Sequence, residues 1–256
     1  MLQGLYQGAR EDALAREAKE PLAELIDRAR LARPPRDRSH LVPRESVHVI
    51  AEIKRRSPSK GALAGIPDPV ALAQSYEAGG ASLISVLTEE RSFGGSLEDL
   101  SAVSDAVSIP VLRKDFIGNE YQVVEARAHG ADMVLLIMAG LDDEAVADLL
   151  ALTHSWGMEA LVETHSEEEI LRAVALGARV IGVNARDLTT FELDPGLFGR
   201  VQHLIPDGVL TVAESAVMNS QDVTRYRKQG AHAVLVGEAL VTGADPENTV
   251  REFVQA

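Results

Sequence analysis

The sequence contains no cysteine, and this absence excludes disulfide bonds, thiolate metal ligands and a cysteine nucleophile together. Positive charge is also scarce, because 25 Lys and Arg stand against 39 Asp and Glu, a formal net charge of -14. Binding a polyanion needs a basic footprint, and no stretch of the chain supplies one. We therefore expect no nucleic-acid partner and no anionic membrane partner, whereas a small anionic substrate held by local charges remains compatible with the sequence.

Long apolar runs are missing as well. The run at 133–141 is too short to span a bilayer, and residues 1–19 carry Glu11, Asp12 and Glu17 without the apolar segment of a signal peptide. We therefore expect a soluble, cytoplasmic protein.

The chain contains a short sequence motif that recurs four times, a glycine–alanine pair followed by an apolar run. The pairs lie at 80–81, 130–131, 177–178 and 230–231, before the runs LISVLT, MVLLIM, VIGVN and VLVGEAL. Glycine adopts the left-handed conformation at a helix end at little cost, and short apolar runs are typical of parallel strands buried on both faces. The spacing of roughly 50 residues is twice what one βα unit needs, so four βα pairs are predicted.

The remaining strands are predicted at 47–53, 110–114, 158–163 and 208–214, and amphipathic helices at 69–78, 97–106, 120–129, 142–156, 167–176 and 221–229. Eight strands alternating with helices favour a closed (β/α)₈ TIM barrel over a doubly wound sheet, which usually has fewer strands. We predict an α/β protein with a single domain over 1–256. Residues 47–256 form the barrel and residues 1–46 form a helical cap, held by the apolar stripe Leu14, Ala18, Leu22, Leu25 and Ala29.

Charged and polar side chains stand at the predicted C-terminal ends of these strands, where barrel enzymes place their catalytic groups. They are Glu52, Lys54, Lys114, Glu163, Asn184, Glu214 and Ser215. Singly, each suits the first solvated position after a strand. Together they indicate a catalytic cluster at one mouth, facing an apolar wall formed by Leu135 and Ile137 of the fourth strand.

Lysine is the exception among the basic residues, since only five of the 25 are lysine. Lys54 and Lys114 end predicted strands, and Lys60 lies in the first βα loop. An ammonium can release a proton near neutral pH when burial or neighbours lower its pKa, whereas a guanidinium cannot. General acid catalysis by lysine explains this placement, and chance clustering of five residues is the alternative.

Phosphate in barrels is commonly bound by the loops after strands seven and eight, here at Ser215-Ala216 and Gly237-Glu238. The first βα loop, SPSKG at 57–61, offers hydroxyl, amide and ammonium donors that could close over the anion. Turns rich in Ser, Pro and Gly are also common where no ligand is bound. Phe93 and Phe116 could sandwich an aromatic ring or simply plug the barrel mouth.

These residues resemble the indole-3-glycerol-phosphate synthase family over the whole chain. The resemblance is carried by EIKRRSPSKG at 52–61, KDF at 114–116, Glu163, GVNARDL at 182–188 and AES at 213–215. It implies closure of 1-(2-carboxyphenylamino)-1-deoxyribulose 5-phosphate to indole-3-glycerol phosphate with loss of carbon dioxide and water. It implies no cofactor and no metal, and we expect a monomer acting on this small phosphorylated anion.

The resemblance also implies a role for each matching position. Lys114 would be a general acid on the substrate ketone, and Lys54 would hold the carboxylate, with the second proton coming from either lysine. Glu163 would take up a proton during rearomatisation, and Glu52 would orient the lysines and assist dehydration. Substrate contacts are expected from Asn184, Arg186, Glu214 and Ser215, with Ser57, Pro58, Phe93, Phe116, Leu135, Ile137, Ala216, Gly237 and Glu238 lining the same site.

Two positions depart from the family pattern. Ala216 stands where glycine is common, which is unfavourable if that residue needs a positive φ. Glu238 stands where some members have serine, and we expect its carboxylate to turn away from the phosphate while its backbone N–H still serves.

Three alternatives stay open at this point. Phosphoribosylanthranilate isomerase and tryptophan-synthase α-like proteins are also phosphate-binding barrels, and the fold alone does not separate them. The Glu-x-Lys pair at 52–54, the following Ser-Pro-Ser and Lys114 favour the synthase. A catalytically silent barrel that serves as a binding module would not need this charged set intact.

Overall fold

The computed structural model describes residues 2–36, 41–42, 44–58, 60–188 and 190–256. Its eight barrel strands are β1 (His48–Ile53), β2 (Leu83–Leu87), β3 (Val111–Lys114), β4 (Met133–Ile137), β5 (Glu159–Thr164), β6 (Val180–Asn184), β7 (Leu210–Glu214) and β8 (Ala233–Val236). They are parallel, follow chain order around the ring, and close between β1 and β8. The predicted (β/α)₈ barrel is confirmed.

The helices that cover the barrel begin and end within a residue of their predicted positions. They are α3 (Pro69–Ala78), α5 (Leu97–Ala106), α6 (Glu120–Ala128), α7 (Asp143–Ser155), α8 (Glu167–Ala175) and α10 (Ser220–Lys228). Most begin after a side chain that accepts a hydrogen bond from a first-turn N–H, as Ser166 does for α8. The four glycines predicted to end helices all have positive φ, between 78° and 96°.

Four further helices, α4 (Glu90–Phe93), α9 (Leu197–Val201), α11 (Glu238–Val241) and α12 (Pro246–Val254), complete the outer layer. A two-stranded hairpin, Arg56–Ser57 with Gly61–Ala62, projects from the loop after β1. No helix in the described ranges combines the length and apolarity that a membrane span requires.

Alternation along the strands separates two packed regions. One set of side chains points outward against the helices, and the other fills the barrel interior, where Ile50, Leu83, Leu112, Leu161 and Val180 are almost completely buried. The inward set continues upward into Glu52, Lys114, Glu163, Asn184 and Glu214. The apolar side chains of the barrel interior and the polar side chains of the candidate site therefore form successive layers inside the same barrel.

The N-terminal extension contains two helices, α1 (Leu2–Glu17) and α2 (Leu22–Leu31), separated at Pro21. The predicted apolar stripe is wrong in its first half, since Leu14 is 61% exposed and Ala18 is also exposed. Because the chain turns between the helices, each presents its own face. Leu25 and Ala29 of α2 pack near α6 as part of a cluster, whereas α1 buries Tyr6, Ala9 and Ala13 instead.

The two ends of the N-terminal extension contact opposite ends of the barrel. Arg33 and Arg36, beyond α2, both pair with the buried carboxylate of Asp132 just before β4, at 2.7 and 3.0 Å. At the other end, the Tyr6 ring of α1 lies edge-on to Phe116, with centroids 5.7 Å apart. A Cβ on Gly140 would come within 2.0 Å of the Tyr6 ring, so the absence of a side chain at 140 makes this docking possible.

Candidate active site

All six candidate catalytic residues line one cavity at the C-terminal mouth of the barrel. Strand register places such residues at the same level along the barrel axis, because Ile137 is paired with Glu163 and Asn184 with Glu214 across neighbouring strands. The candidate substrate contacts that also line this cavity are Ser57, Pro58, Phe93, Phe116, Leu135, Ile137, Arg186, Glu214 and Glu238. Ala216 and Gly237 are not among its lining residues, although each is adjacent in sequence to one that is.

Lys114 lies at the centre of the charged half of the cavity. Its Nζ donates to Glu163 Oε2 at 2.6 Å and to Glu214 Oε2 at 3.3 Å, and both carboxylates are almost completely buried. Glycine at 182 leaves the space that Glu214 occupies, since a Cβ there would lie 2.1 Å from Glu214 Oε1. One ammonium is thus shared between two carboxyl groups in a largely desolvated pocket.

The expectation that its surroundings lower the pKa of Lys114 is wrong. Burial does lower it, but the charges of Glu163, Glu214 and Glu52 more than offset this and raise the pKa of Lys114 above its ordinary value. For Glu163, burial raises the pKa, yet Lys114 and His165 hold it well below the ordinary range. Burial and the neighbouring charge of Glu163 raise the pKa of Glu214. Lys114 is therefore held as a proton donor beside one ionised carboxylate.

Hydrogen bonds fix the second oxygen of Glu163. Asn184 Nδ2 donates to Glu163 Oε1 at 3.0 Å, and Asn184 Oδ1 accepts from Ser215 Oγ at 2.8 Å and from the Arg186 backbone N–H at 3.0 Å. This chain orients the carboxamide, so Asn184 cannot flip without losing three contacts. Three of the predicted residues therefore act as one unit behind Glu163.

His165 also contacts Glu163 and was missed from the sequence. Its Nε2 lies 3.2 Å from Glu163 Oε1, although His165 is not among the residues that line the cavity. The signal was available, since residues two apart share a face of a strand and His165 follows Glu163 by two. The spacing that places Glu52 and Lys54 on one face therefore also places His165 beside Glu163.

At the end of β1, Lys54 Nζ donates to Glu52 Oε2, which confirms that the two side chains share a face. Gly237, just after β8, is packed against this pair. A Cβ on Gly237 would lie 2.4 Å from Glu52 Oε2 and 3.1 Å from Lys54 Nζ. Residue 237 therefore sets the space available to the Glu52–Lys54 pair.

The candidate phosphate end combines the hairpin loop with the loops after β7 and β8. Ser59 of the predicted SPSKG loop lies outside the described residues. Lys60 Nζ donates to Glu238 Oε1 at 2.5 Å, so the loop is tied to the start of α11. Glu238 lines the cavity, and its carboxylate is paired with the Lys60 ammonium.

Backbone conformation at 215–216 is unusual. Ser215 and Ala216 have φ of 66° and 55°, in the left-handed region that disfavours residues with a Cβ. The concern about alanine at a position where glycine is common is therefore justified by the geometry.

Apolar side chains form the opposite half of the cavity. The Phe93 and Phe116 rings contact each other at 6.1 Å between centroids with a tilt of 44°, so an aromatic ring does not fit between them. The predicted sandwich is wrong in this respect, and the two rings form one wall. Lining residues that the sequence reasoning missed, besides Asp115, are Leu2, Leu5, Leu63, Leu87, Leu188, Phe191 and Leu235.

This arrangement can hold a flat apolar ring against one wall while two ammonium groups and buried carboxylates face the reacting atoms. It suits proton transfer to and from a neutral or anionic substrate within a largely desolvated space. No set of three His, Asp or Glu side chains within the described residues is placed to bind a metal ion.

Comparison with known proteins gives one consistent family. The family model described as indole-3-glycerol phosphate synthase matches residues 2–253. A protein of that name from Kineococcus radiotolerans is 54% identical over 261 residues, covering 100% of this chain and 95% of the relative. One from Leifsonia xyli subsp. xyli is 56% identical over 254 residues, covering 99% and 97%.

Among solved structures, 3-hexulose-6-phosphate synthase from Salmonella typhimurium matches with a TM-score of 0.63 at 15% identity, covering 82% of this chain and 97% of that one. N-acetylmannosamine-6-phosphate 2-epimerase from Clostridium perfringens matches with a TM-score of 0.60 at 16% identity, covering 81% and 92%. At such identities these two structures support the fold alone.

Proposed function

The chain belongs to the indole-3-glycerol phosphate synthase family, and from this premise we propose a role for each group in its cavity. The reaction is closure of 1-(2-carboxyphenylamino)-1-deoxyribulose 5-phosphate to indole-3-glycerol phosphate with loss of carbon dioxide and water. It is a carboxy-lyase step of tryptophan biosynthesis. The substrate is a small phosphorylated molecule.

Lys114 is the general acid for ring closure. As the ring carbon that bears the carboxylate attacks the ketone carbon, the ketone oxygen takes a proton from the Lys114 ammonium. The observation that carries this assignment is the shared position of Lys114 Nζ, 2.6 Å from Glu163 and 3.3 Å from Glu214, inside the cavity. A developing alkoxide competes with these carboxylates for the proton, so the high pKa of the resting ammonium does not prevent transfer.

Lys54 binds the substrate carboxylate until carbon dioxide leaves. Its own partner, Glu52, keeps the ammonium directed into the cavity and assists the dehydration step. Departure of the hydroxyl as water needs a second proton, and we assign that proton to Lys54. The two lysines therefore have different roles and come from different strands, Lys54 from the end of β1 and Lys114 from the end of β3.

Loss of carbon dioxide restores the aromaticity of the benzene ring. Glu163 stabilises the cation formed on ring closure, and it is the base that accepts the proton released as water leaves and the five-membered ring becomes aromatic. Its low pKa keeps it ionised and able to accept. Asn184, Ser215 and Arg186 bind substrate hydroxyls and the carboxylate, with Glu214 beside them. Support for this comes from the hydrogen-bonded chain that ends on Glu163 Oε1.

The phosphate is bound at the mouth by the loops at Ser215-Ala216 and Gly237-Glu238, with Ser57 and Pro58 above it. The aromatic ring of the substrate lies against Phe93, Phe116, Leu135 and Ile137. We further propose that residues 1–256 act as one domain and as a cytoplasmic monomer. Support for the single domain comes from Leu2 and Leu5 of α1, which contribute to the wall of the barrel cavity.

The test is fluorescence-monitored formation of the indole product from the synthetic anilino-sugar phosphate, with Lys114→Arg as the paired variant. Wild-type protein is expected to form product, and Lys114→Arg is expected to keep the fold and charge but lose at least about 10²-fold in kcat, the contribution of one positioned acid. Circular dichroism and the thermal midpoint check the fold. A kcat for Lys114→Arg within threefold of wild type would remove Lys114 from this role.

A further inference from the structure

His165 is the first residue after β5, directly behind Glu163. Its Nε2 lies 3.2 Å from Glu163 Oε1, and its Nδ1 lies 3.3 Å from Glu169 Oε2 in the first turn of α8. The backbone N–H of His165 also donates to Glu169 Oε2 at 2.7 Å. The side chain is only 11% exposed, so the ring is enclosed between two carboxylates.

Both ring nitrogens lie within 3.3 Å of a carboxylate oxygen, and this favours the charged form of the ring, although Nε2 makes an ion-pair contact with Glu163 without the alignment of a hydrogen bond. A neutral imidazole carries one N–H and would leave a bare nitrogen lone pair facing a carboxylate oxygen, whereas the imidazolium carries a hydrogen on both nitrogens. Burial lowers the pKa of His165, but its contacts with Glu163 and Glu169 outweigh burial and raise the pKa to about 10. The ring is therefore a fixed positive charge near neutral pH.

The charge has a specific effect on Glu163. The titratable groups that face this carboxylate are Lys114 from β3, His165 from the end of β5, Glu214 from β7 and Tyr6 from α1, with Asn184 as a neutral donor from β6. Lys114 is also the group assigned to the substrate ketone. When Lys114 engages substrate, His165 is the cation that stays with Glu163, because it is not among the residues that line the cavity and is held by Glu169 on its other side.

We propose that His165 is a positioning residue for the reaction, a permanent cation that holds Glu163 ionised and aimed into the cavity while Lys114 acts on substrate. Glu169 acts behind it by holding the ring in place. This inference rests on the role proposed for Glu163 as the proton acceptor. His165 does not touch substrate, so its effect must reach the reaction through the Glu163 carboxylate.

A purely structural role at the start of α8 is the rival explanation. A matched control exists at the other end of the same strand, where His154 Nε2 lies 2.8 Å from Glu159 Oε1. His154→Gln removes a histidine–glutamate contact from β5 without touching the cavity. Any loss that comes only from weakening this part of the fold should therefore be common to both histidine variants.

The experiment measures kcat and KM for indole product formation from about pH 3 to about pH 9, so that the range extends below the ordinary carboxyl pKa of ~4.3, with thermal midpoints, for wild type, His165→Gln, Glu169→Gln and His154→Gln. For His165→Gln we expect kcat to fall roughly tenfold, a fraction of the ~10²–10⁴ of a positioned acid or base, with KM nearly unchanged. The acid limb of the kcat profile should move up by about one pH unit, because a nearby opposite charge shifts a carboxyl pKa by ~1–3 units.

Glu169→Gln should shift the acid limb in the same direction by less, and His154→Gln should leave it in place. The proposal is overturned if His165→Gln keeps the wild-type kcat and acid limb, or if it loses kcat only in proportion to its thermal midpoint, as His154→Gln does. Should His165→Gln fail to fold, an unmoved acid limb in Glu169→Gln overturns it. Wild-type protein that forms no indole product removes the proposed function itself, and this inference with it.

Discussion

The two ends of strand β5 carry similar residues in very different surroundings. At the N-terminal end, Glu159 contacts His154 at 2.8 Å and Arg179 at 3.8 Å, and the Arg179 side chain is 54% exposed to water. At the C-terminal end, Glu163 contacts Lys114, Asn184 and His165, and none of these partners is more than slightly exposed. Glu159 is itself buried, but its partner Arg179 reaches water, whereas every partner of Glu163 is nearly buried and this second group interacts at a lower effective dielectric. A charged pair at a strand end therefore indicates catalysis only when several partners converge on it out of water.

Replacing the two glutamates gives the largest expected contrast. Glu163→Gln should lower kcat by about 10²-fold or more, because the proton acceptor is lost and Lys114 loses an ionic partner. Glu159→Gln should leave kcat within about twofold and lower the free energy of unfolding by roughly 1–3 kcal/mol, because Glu159 is buried and hydrogen-bonded but lies far from the cavity. Steady-state kinetics and urea unfolding measure both quantities. Equal losses of kcat in the two variants would contradict the comparison.

Gly237→Ala tests how tightly the mouth is packed around its carboxylates. Alanine is allowed at a φ of -114°, but its Cβ would lie 2.4 Å from Glu52 Oε2, so the Glu52–Lys54 pair must move. We expect kcat to fall roughly tenfold while the fold is retained, since misplacing an acid–base group costs part of its ~10²–10⁴ contribution. Gly65→Ala, at a position with nothing within 4 Å of the added Cβ, is the control and should keep wild-type kinetics.

Stability should depend on pH through the mouth of the barrel. The folded-state pKa of His165 is raised to about 10 from 6.5, so the folded protein binds this proton more tightly than the unfolded chain. The stabilisation is complete below about pH 6.5 and is lost as pH rises toward about 10, a change on the order of a few kcal/mol at most. The difference in urea unfolding free energy between wild type and His165→Gln should shrink over this range. A difference independent of pH would show that the ring is not charged in the folded state.

Ala216→Gly should have the smallest effect. Glycine removes the steric cost of a Cβ at a φ of 55°, worth ~1–2 kcal/mol, but gives back ~0.4–1 kcal/mol through the greater freedom of the unfolded chain. We expect a gain in unfolding free energy of about 1 kcal/mol or less, measured by urea denaturation. A loss of stability would mean that the alanine methyl makes packing contacts that outweigh its backbone strain.

The sequence was sufficient to predict the barrel because each strand is buried on both faces and each repeat ends in a glycine with positive φ. It was also sufficient for the charged cluster, since strand ends in a barrel share one rim. Residues brought in from distant segments were not predictable in this way. Leu5 and Phe191 line the cavity through long-range packing that leaves no local pattern.

The pKa of Lys114 shows a related limit of sequence reasoning. Burial of a lysine can be expected from its position at a strand end, and burial alone lowers the pKa. Three carboxylates from other strands reverse the direction, and their distances from the ammonium are set only by the closed ring. In the N-terminal helices, the apolar spacing indicated a stripe, but the turn at Pro21 divided it between two faces.

The seat of Tyr6 against Phe116 and Gly140 has a consequence for the order of folding. The contact from residue 6 to residue 140 closes a loop of about 130 residues, at an entropic cost of about 4 kcal/mol. A nascent chain emerging from the ribosome cannot form this contact until the fourth strand has been synthesised. Docking of α1 therefore waits for residue 140, and the side of the cavity that Leu2 and Leu5 form is completed only after the first four barrel strands have been synthesised.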